Sequence, residues 1–426
     1  VFIGTGSGPN MRMAPGLVPY EDIVWLRSVL RKIKDDRPVI FFNHYPIDES
    51  LSNWYLIIDE LKKVNIQAIL HGHGHQNRSM NYEGIPAAMG RSNLRGCEEI
   101  GGYNLVTIRN GTITFAERTP GRSTQEPWLT FQLKKHQFDR DTATYLRPSY
   151  EINKKYPMVR VEWHIQDQSD IETGIVAAER LAIYENTDGF LVARDIGTGE
   201  KKWQFETGGK IYSTPAISKG VVTFASTDST IYGIDLFDGT EIWRVKTAKS
   251  IVASPAISHG YVYIGSSEGK FRALSLKTRG LKWVYKEVKG FVSGKPLVDD
   301  KHVYFGDWSN YFYALDKNSG EQVWNWTNGS SNRMFSPAAV YPVKAEGKIF
   351  ITAPDRYITS LDANTGKVIW RSNKHKGRES IGISSDKRFI YTKAMNDSLF
   401  AYSSLTDTMK LEWALDINLG YEIGPS

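Results

Sequence analysis

The 426-residue sequence predicts a multidomain chain: an α/β part over residues 1–135, a linker at 136–160, and an all-β repeat array over 161–426. Three observations predict it. Up to about residue 135, short continuous apolar runs alternate with amphipathic helical stretches. The stretch HQFDRDTATYLRPSYEINKKYPMVR is polar and lacks periodicity. From about residue 161, tryptophan recurs at intervals of 40 to 46 residues.

In the first part, YEDIVWLRSVLRKIKDD puts Ile23, Leu26, Leu30 and Ile33 on one helical face, with Glu21 and Asp22 in the first turn, where a helix favours negative charge. PVIFF is a short apolar run ending at Asn43, and it reads as a buried strand entering a loop. SNWYLIIDELKKVN predicts a second helix and IQAIL a second buried strand. NLVTI and GTITFAER predict a hairpin around Asn110-Gly111. Both buried strands end just before histidines: His44 in FFNHYP, and His71, His73 and His75 in ILHGHGH. Loops at the carboxyl ends of sheet strands are where α/β domains usually carry their chemistry. Glycines on either side of His73 permit a tight backbone that aims His73 and His75 to one side. GTGSGPN near the start, with Gly4, Gly6 and Gly8, lacks the spacing of a nucleotide-binding loop and reads as a turn-rich rim.

Composition bounds the function. Hydrophobic residues are 41% and charged residues 23%, as in a folded chain. The net charge of +6 is spread over 53 basic and 47 acidic residues without long single-sign blocks, so no nucleic-acid partner is expected. Cys97 is the single cysteine, which excludes an internal disulfide framework and a cysteine-built zinc site. No apolar run reaches the ~20 residues of a membrane span. The chain opens on VFIGTGSG without the features of a signal region, and an upstream segment is expected in the intact protein.

The repeats are the strongest signal. Five segments of equal length align without a gap and end at Trp203, Trp243, Trp283, Trp324 and Trp370; a sixth, two residues longer, ends at Trp413, and Trp163 lies one period earlier. Each holds two strands, a turn such as T-G, and a third strand carrying the tryptophan, while STPAIS, ASPAIS and SGKPLV each supply one further strand. Four strands per period of this size predict a β-propeller of six recognisable blades, with GYEIGPS as the start of a partial one and seven or eight blades expected in the intact protein. ARDIGTGEKKW and ALDKNSGEQVW resemble the repeat of the pyrroloquinoline-quinone-like propeller superfamily over residues 161–426. The WD40 alternative wants Trp-Asp and an upstream Gly-His, and neither recurs. The resemblance implies a platform for a protein partner. The tryptophans are expected in the core between blades, and no quinone cofactor is expected.

In the first part, Asn43-His44-Tyr45-Pro46 and Gly72-His73-Gly74-His75, with EGIPAAMGRSNLRG and GGYNLVTIRNGTITF after them, resemble the C-terminal motifs of the calcineurin-like metallophosphoesterase family. That resemblance implies part of an αββα sandwich. It implies two divalent ions (Zn, Mn or Fe) ligated in the intact protein by His44, His73 and His75, and a hydroxide that attacks a phosphate-ester substrate. His71 is expected to be packed or supporting. Asn43 and Tyr45 either contact substrate or shape the loop. The family's upstream D-x-H, G-D and G-N-H motifs are not in this chain, so the chain by itself is expected to be inactive. The second reading is a non-catalytic scaffold whose propeller makes the contacts. Either way, an exported bacterial protein of the periplasm or cell envelope is expected.

Overall fold

The computed structural model describes all residues except 10–15, 35, 94–99, 139–144, 146, 148, 150, 395–397 and 417–426. The final GYEIGPS, Cys97 and much of the expected linker therefore lie outside the described residues. The chain divides into two compact units, Val1–Arg160 and Val161–Ser426.

In the first unit, β1 (Phe2–Gly4), the short pair β2 (Gly8–Pro9) and β3 (Gly16–Leu17), α1 (Tyr20–Leu30), β4 (Val39–Asn43), α2 (Trp54–Leu61) and β5 (Ile66–His71) come first. They are followed by β6 (Arg78–Tyr82), β7 (Ile85–Met89), β8 (Tyr103–Arg109), β9 (Thr112–Arg118) and β10 (Pro127–Gln132). A five-stranded sheet runs β1-β4-β5-β7-β6; its first four strands are parallel neighbours, and β6 is antiparallel to β7. The apolar stripe of α1 (Ile23, Leu26, Leu30) and that of α2 (Trp54, Ile57, Ile58, Leu61) bury against one face of the sheet, with Phe41 and Ile69 beneath. Each such side chain contributes about 1.5–3 kcal/mol by leaving water. Ile33 lies past the end of α1 but packs on the same core.

The other face of the sheet, through Ile40 and Ala88, meets Ile113 and Phe115 of the antiparallel sheet β10-β9-β8. Asn110 and Gly111 join β8 to β9 with φ of 50° and 72°, the left-handed pair a two-residue hairpin turn requires. The expected αββα sandwich is not shown. Helices cover one side only among the described residues, and Tyr103, Leu105, Val106 and Ile108 of β8 face solvent where a second helical layer would bury them.

The stretch expected as a linker makes defined contacts with the first unit. Phe138 and Tyr145 pack on its core, and His136 Nε2 lies 3.2 Å from the Gln67 carbonyl. The Arg147 guanidinium donates to Glu83 at 2.7 Å and to Asp59 at 2.8 Å, while Lys62 Nζ reaches Glu83 at 2.5 Å. Glu151–Lys155 forms a 3₁₀ turn. Arg147 above all, with burial opposing and Lys62 assisting, holds the Glu83 carboxyl down to about 2.

The second unit contains six four-stranded antiparallel sheets in sequence order, over 176–206, 216–246, 256–285, 297–327, 343–372 and 377–416. In each, the strand bearing tryptophan is fourth, and the indole lies opposite a small residue: Ala193, Gly233, Ala273, Ala314, Ser360 and Ala401 in turn. In the second blade the fit excludes even a methyl group, because a Cβ on Gly233 would stand 2.1 Å from the Trp243 ring. The tryptophan then reaches forward to the next sheet. The Nε1–H of Trp203, Trp243, Trp283 and Trp324 donates to the carbonyls of Leu236, Leu276, Lys317 and Ala363 at 2.9–3.1 Å. Trp163 makes the same bond into the first sheet, to Ile196 O at 2.7 Å.

Each acceptor sits in the turn before its own blade's tryptophan strand. In most blades that turn places a glycine over the incoming indole: Gly239 has φ 74°, and a Cβ there would stand 2.7 Å from Trp203. Among the described residues the link is missing at Trp370. Trp370 Nε1 is buried without a partner, because in the longer sixth repeat the buried Lys348 ammonium takes the equivalent carbonyl, Ser404 O, at 3.2 Å. Trp413 is 41% exposed, unlike the five buried tryptophans before it. No helix among the described residues is long and apolar enough to cross a membrane.

Two expectations follow. Trp243→Phe should cost about 1 kcal/mol more than Trp370→Phe, since it alone orphans a buried carbonyl acceptor. Paired thermal unfolding curves measure that difference, and equal losses would refute the role given to the bond. Glu83 titrates lower folded than unfolded, so its contribution is complete above about pH 4.5 and is lost as pH falls toward 2. Arg147→Ala should cost about 2 kcal/mol or more at neutral pH and should flatten the stability loss between pH 4.5 and 2, both read by circular dichroism.

Candidate functional site

The histidines singled out in the sequence meet at one rim of the five-stranded sheet. β4 and β5 are parallel neighbours with Asn43 opposite His71, so the loops that follow them leave the sheet side by side. The Gly72 N–H donates to His44 O at 3.1 Å, which ties the two loops together. The His44 and His73 rings stand edge to face with centroids 5.3 Å apart, and His73 stacks on Tyr45 at 3.9 Å. His44 and His73 are exposed, and His75 is half-buried. Burial first, then the neighbouring charges of His44 and His75, push His73 below the usual histidine range, with Asp48 opposing.

The flanking glycines do not carry the backbone strain expected of them. His73 and His75 themselves hold φ of 68° and 57°. Gly74 is needed for a different reason: a Cβ there would stand 2.5 Å from Met89 Sδ.

The other three candidates are structural in their contacts. His71 is buried and pushed down to about 4 by burial, and its Nε2 lies 2.7 Å from the Tyr82 hydroxyl. A neutral imidazole can accept that O–H while its Nδ1–H faces the Gly72 carbonyl at 3.5 Å. Asn43 donates to Tyr45 O at 2.8 Å and receives Thr5 Oγ1–H at 3.3 Å, so its amide shapes the turn. Tyr45 is buried in the core. Among the described residues, no group of three or more His, Cys, Asp or Glu is placed to hold a metal ion.

A second candidate was missed in the sequence and lies on the fourth blade. Three separated segments are bonded together at the end of the blade where its second and third strands turn. Trp308 N–H donates to Phe291 O at 3.0 Å, Asn310 N–H to Ser336 Oγ at 3.2 Å, and the Asn310 amide to Ser330 O at 2.7 Å. Asn332 caps the short 3₁₀ turn Arg333–Phe335 through Met334 N at 3.0 Å. This framework leaves Phe291, Met334 and Phe335 exposed by 40%, 46% and 40%, with Phe291 stacked on the half-buried Trp308 at 5.4 Å. The available signal was the interval from Trp324 to Trp370, the longest of the series, which marks an insertion.

Several carboxylates at this end of the blades are paired, but Glu185, at the end of the first blade's second strand, is fully buried with neither oxygen hydrogen-bonded among the described residues, and burial pushes its carboxyl well above the usual range. Glu268 pairs with Arg272 and Lys270, Asp355 with Arg371, and Asp307 accepts Gly290 N–H at 2.7 Å and the Tyr313 hydroxyl at 2.9 Å. Asp228 accepts the Tyr232 hydroxyl at 2.5 Å.

A family model described as outer membrane protein assembly factor BamB matches residues 160–286 and 287–405, more than half of the chain. The quinohemoprotein alcohol dehydrogenase of Comamonas testosteroni is 25% identical over 162 residues, covering 33% of this chain and 22% of that protein. The 1-butanol dehydrogenase (cytochrome c) of Thauera butanivorans is 32% identical over 108 residues, 23% of this chain and 15% of that protein. The chain thus spans about a fifth or less of these curated relatives. Among solved structures, BamB from Moraxella catarrhalis is similar with a TM-score of 0.48 and 16% identity over 74% of this chain and 85% of that one. The quinohemoprotein alcohol dehydrogenase of Comamonas testosteroni has a TM-score of 0.49 and 14% identity over 58% and 61%.

These findings overturn the metallophosphoesterase reading. The matched family model is that of outer membrane protein assembly factor BamB, and the curated relatives are dehydrogenases; none of them is a phosphoesterase. The physical reason agrees with them. The rim gathers imidazoles without a shared carboxylate, and the second helical layer of the expected sandwich is not shown. The calcineurin-like assignment, the hydrolase activity and the phosphate-ester substrate are therefore withdrawn.

Proposed function

The chain belongs to the family described as outer membrane protein assembly factor BamB, and we propose that it is a non-catalytic binding protein whose blades hold a protein partner in the cell envelope. The observation that carries this is the patch on the fourth blade. Phe291, Trp308, Met334 and Phe335 present apolar surface from a backbone already fixed by internal hydrogen bonds. Exposed, pre-organised aromatic and methionine side chains are the material of binding hot spots, since little conformational entropy remains to be lost on docking.

Two relatives are named for quinone, haem and cytochrome chemistry. Glu268, Asp355, Asp307 and Asp228 are engaged by Arg272, Arg371, Tyr313 and Tyr232 within their own blades, while the buried Glu185 has no donor among the described residues, and one cysteine does not supply the thiol pair of covalent haem attachment. No oxidation step is derived through either.

A photo-crosslinking residue placed at Phe291 or Met334 should give one discrete protein adduct in the native cell. The same residue at Phe237, 65% exposed at the opposite end of a blade, should not. Equal adducts at both ends would reject the patch. Alcohol-dependent reduction of an artificial electron acceptor by the purified chain would reject the non-catalytic part.

His44, His73 and His75 we retain as a proposed ligand set for one divalent ion (Zn, Mn or Fe), without hydrolysis. What favours it is geometry: the exposed His44 and His73 rings stand edge to face with centroids 5.3 Å apart on loops tied by the Gly72–His44 backbone bond. Zinc titrated into the parent should bind several-fold more tightly than into His73→Ala, and unchanged calorimetric binding would reject the set.

A further inference from the structure

The first unit carries a feature that the histidine rim and the blades leave unused. Where α1 and α2 end, a cleft of about 520 Å³ opens between them, lined among others by Arg27, Arg31, Lys34, Glu60 and Lys63. A second cleft of about 390 Å³ adjoins it, shares Lys63 and Val64, and adds Lys62 and Lys135. Six cationic side chains line the two clefts against one carboxylate. That carboxylate is already neutralised: Glu60 is buried, and it receives Arg27 Nε and Lys63 Nζ at 2.8 Å each. Of the six, Lys62 is paired with Glu83 and Lys135 lies 3.7 Å from Asp36, which leaves Arg31 and Lys34 as the cations not drawn into these pairs. Arg31, Lys34, Lys63 and Lys135 are exposed.

Helix C-termini attract cations through their partial negative charge, which accounts for some of these residues. It does not account for Lys135, which comes from beyond β10, or for the apolar floors. The half-buried Ile33 and Val64 supply the floor of the first cleft, and the half-buried Val64 and Phe138 that of the second.

We propose that this double cleft docks an acidic peptide segment in which carboxylates alternate with apolar side chains. The charge selects an anion, and the floors select one that also carries hydrophobic groups. The Lys63–Val64 divide between two pits suits successive side chains of an extended strand better than the flat phosphate array of a membrane. The clefts fall in the size range of ligand sites, and apolar pits inside a cationic rim place charge complementarity where it steers encounter and fixes register.

The test uses the full chain and a fluorescein-labelled peptide alternating glutamate with leucine and phenylalanine, followed by anisotropy. Binding should be lost when glutamine replaces glutamate in the peptide. It should weaken roughly ten-fold or more in Lys34→Glu/Lys63→Glu. Because Lys63 also bonds Glu60, Arg31→Gln/Lys34→Gln serves as the second variant; it should weaken binding with an unchanged unfolding temperature. Three results would each overturn the proposal: no binding of the acidic peptide by the parent, equal binding by parent and both variants, or tighter cleft-dependent binding of duplex DNA or phosphatidylglycerol vesicles than of the peptide.

Discussion

Most blades of the repeat region are held to the next by one recurring arrangement: an indole that spans the gap, donates to a turn carbonyl and, at most junctions, lies under the glycine of that turn. Everything nearby is subordinate to it. The residue facing each tryptophan is small, the turn must expose a carbonyl, and most of the turns need a residue that accepts positive φ without a side chain. Hydrogen bonding supplies direction and apolar burial supplies most of the energy, because the indole covers the strand it belongs to and the turn of its neighbour at once. Asp195, Asp316 and Asp362 stiffen those turns by accepting two backbone N–H groups each, so the acceptor carbonyl is in place before the indole arrives.

The repeats were legible in the sequence because the arrangement writes itself there as tryptophan, a small residue and Thr-Gly at fixed offsets. The exception was partly legible too. The sixth repeat is longer, and the added turn is where Lys348 displaces the indole as donor. The aromatic patch was not legible, because Phe291, Trp308 and Phe335 come from three segments whose meeting depends on Asn310 and Ser336, residues with no signature of their own. In the first unit the strands and helices were readable from periodicity, and so was the hairpin at Asn110-Gly111. The histidine loop misled. Glycine beside histidine suggested that glycine would take the left-handed conformation, whereas His73 and His75 hold it themselves and Gly74 makes room for Met89.

The resemblance of the first unit to a hydrolase shows how short motifs can outrun their context. G-H-x-H after an apolar strand is compatible with ligation, but three imidazoles without a shared carboxylate do not by themselves make a binding site for two ions. Tyr45 stacking on His73 and Tyr82 bonding to His71 give the same residues ordinary packing roles. The charges of this unit are concentrated instead in pairs such as Arg147–Glu83 and in the cationic clefts at its helix ends.

The forward-reaching indole also has a consequence for how such chains change over time. Since one blade's donor and the next blade's acceptor take almost the same form at most junctions, excising or duplicating one whole period joins a compatible donor to a compatible acceptor. Cutting within a period separates them. Lengths of whole repeats are thus interchangeable parts, and the junction between the fifth and sixth blades, where a lysine has taken over, is a seam at which such an exchange would be felt.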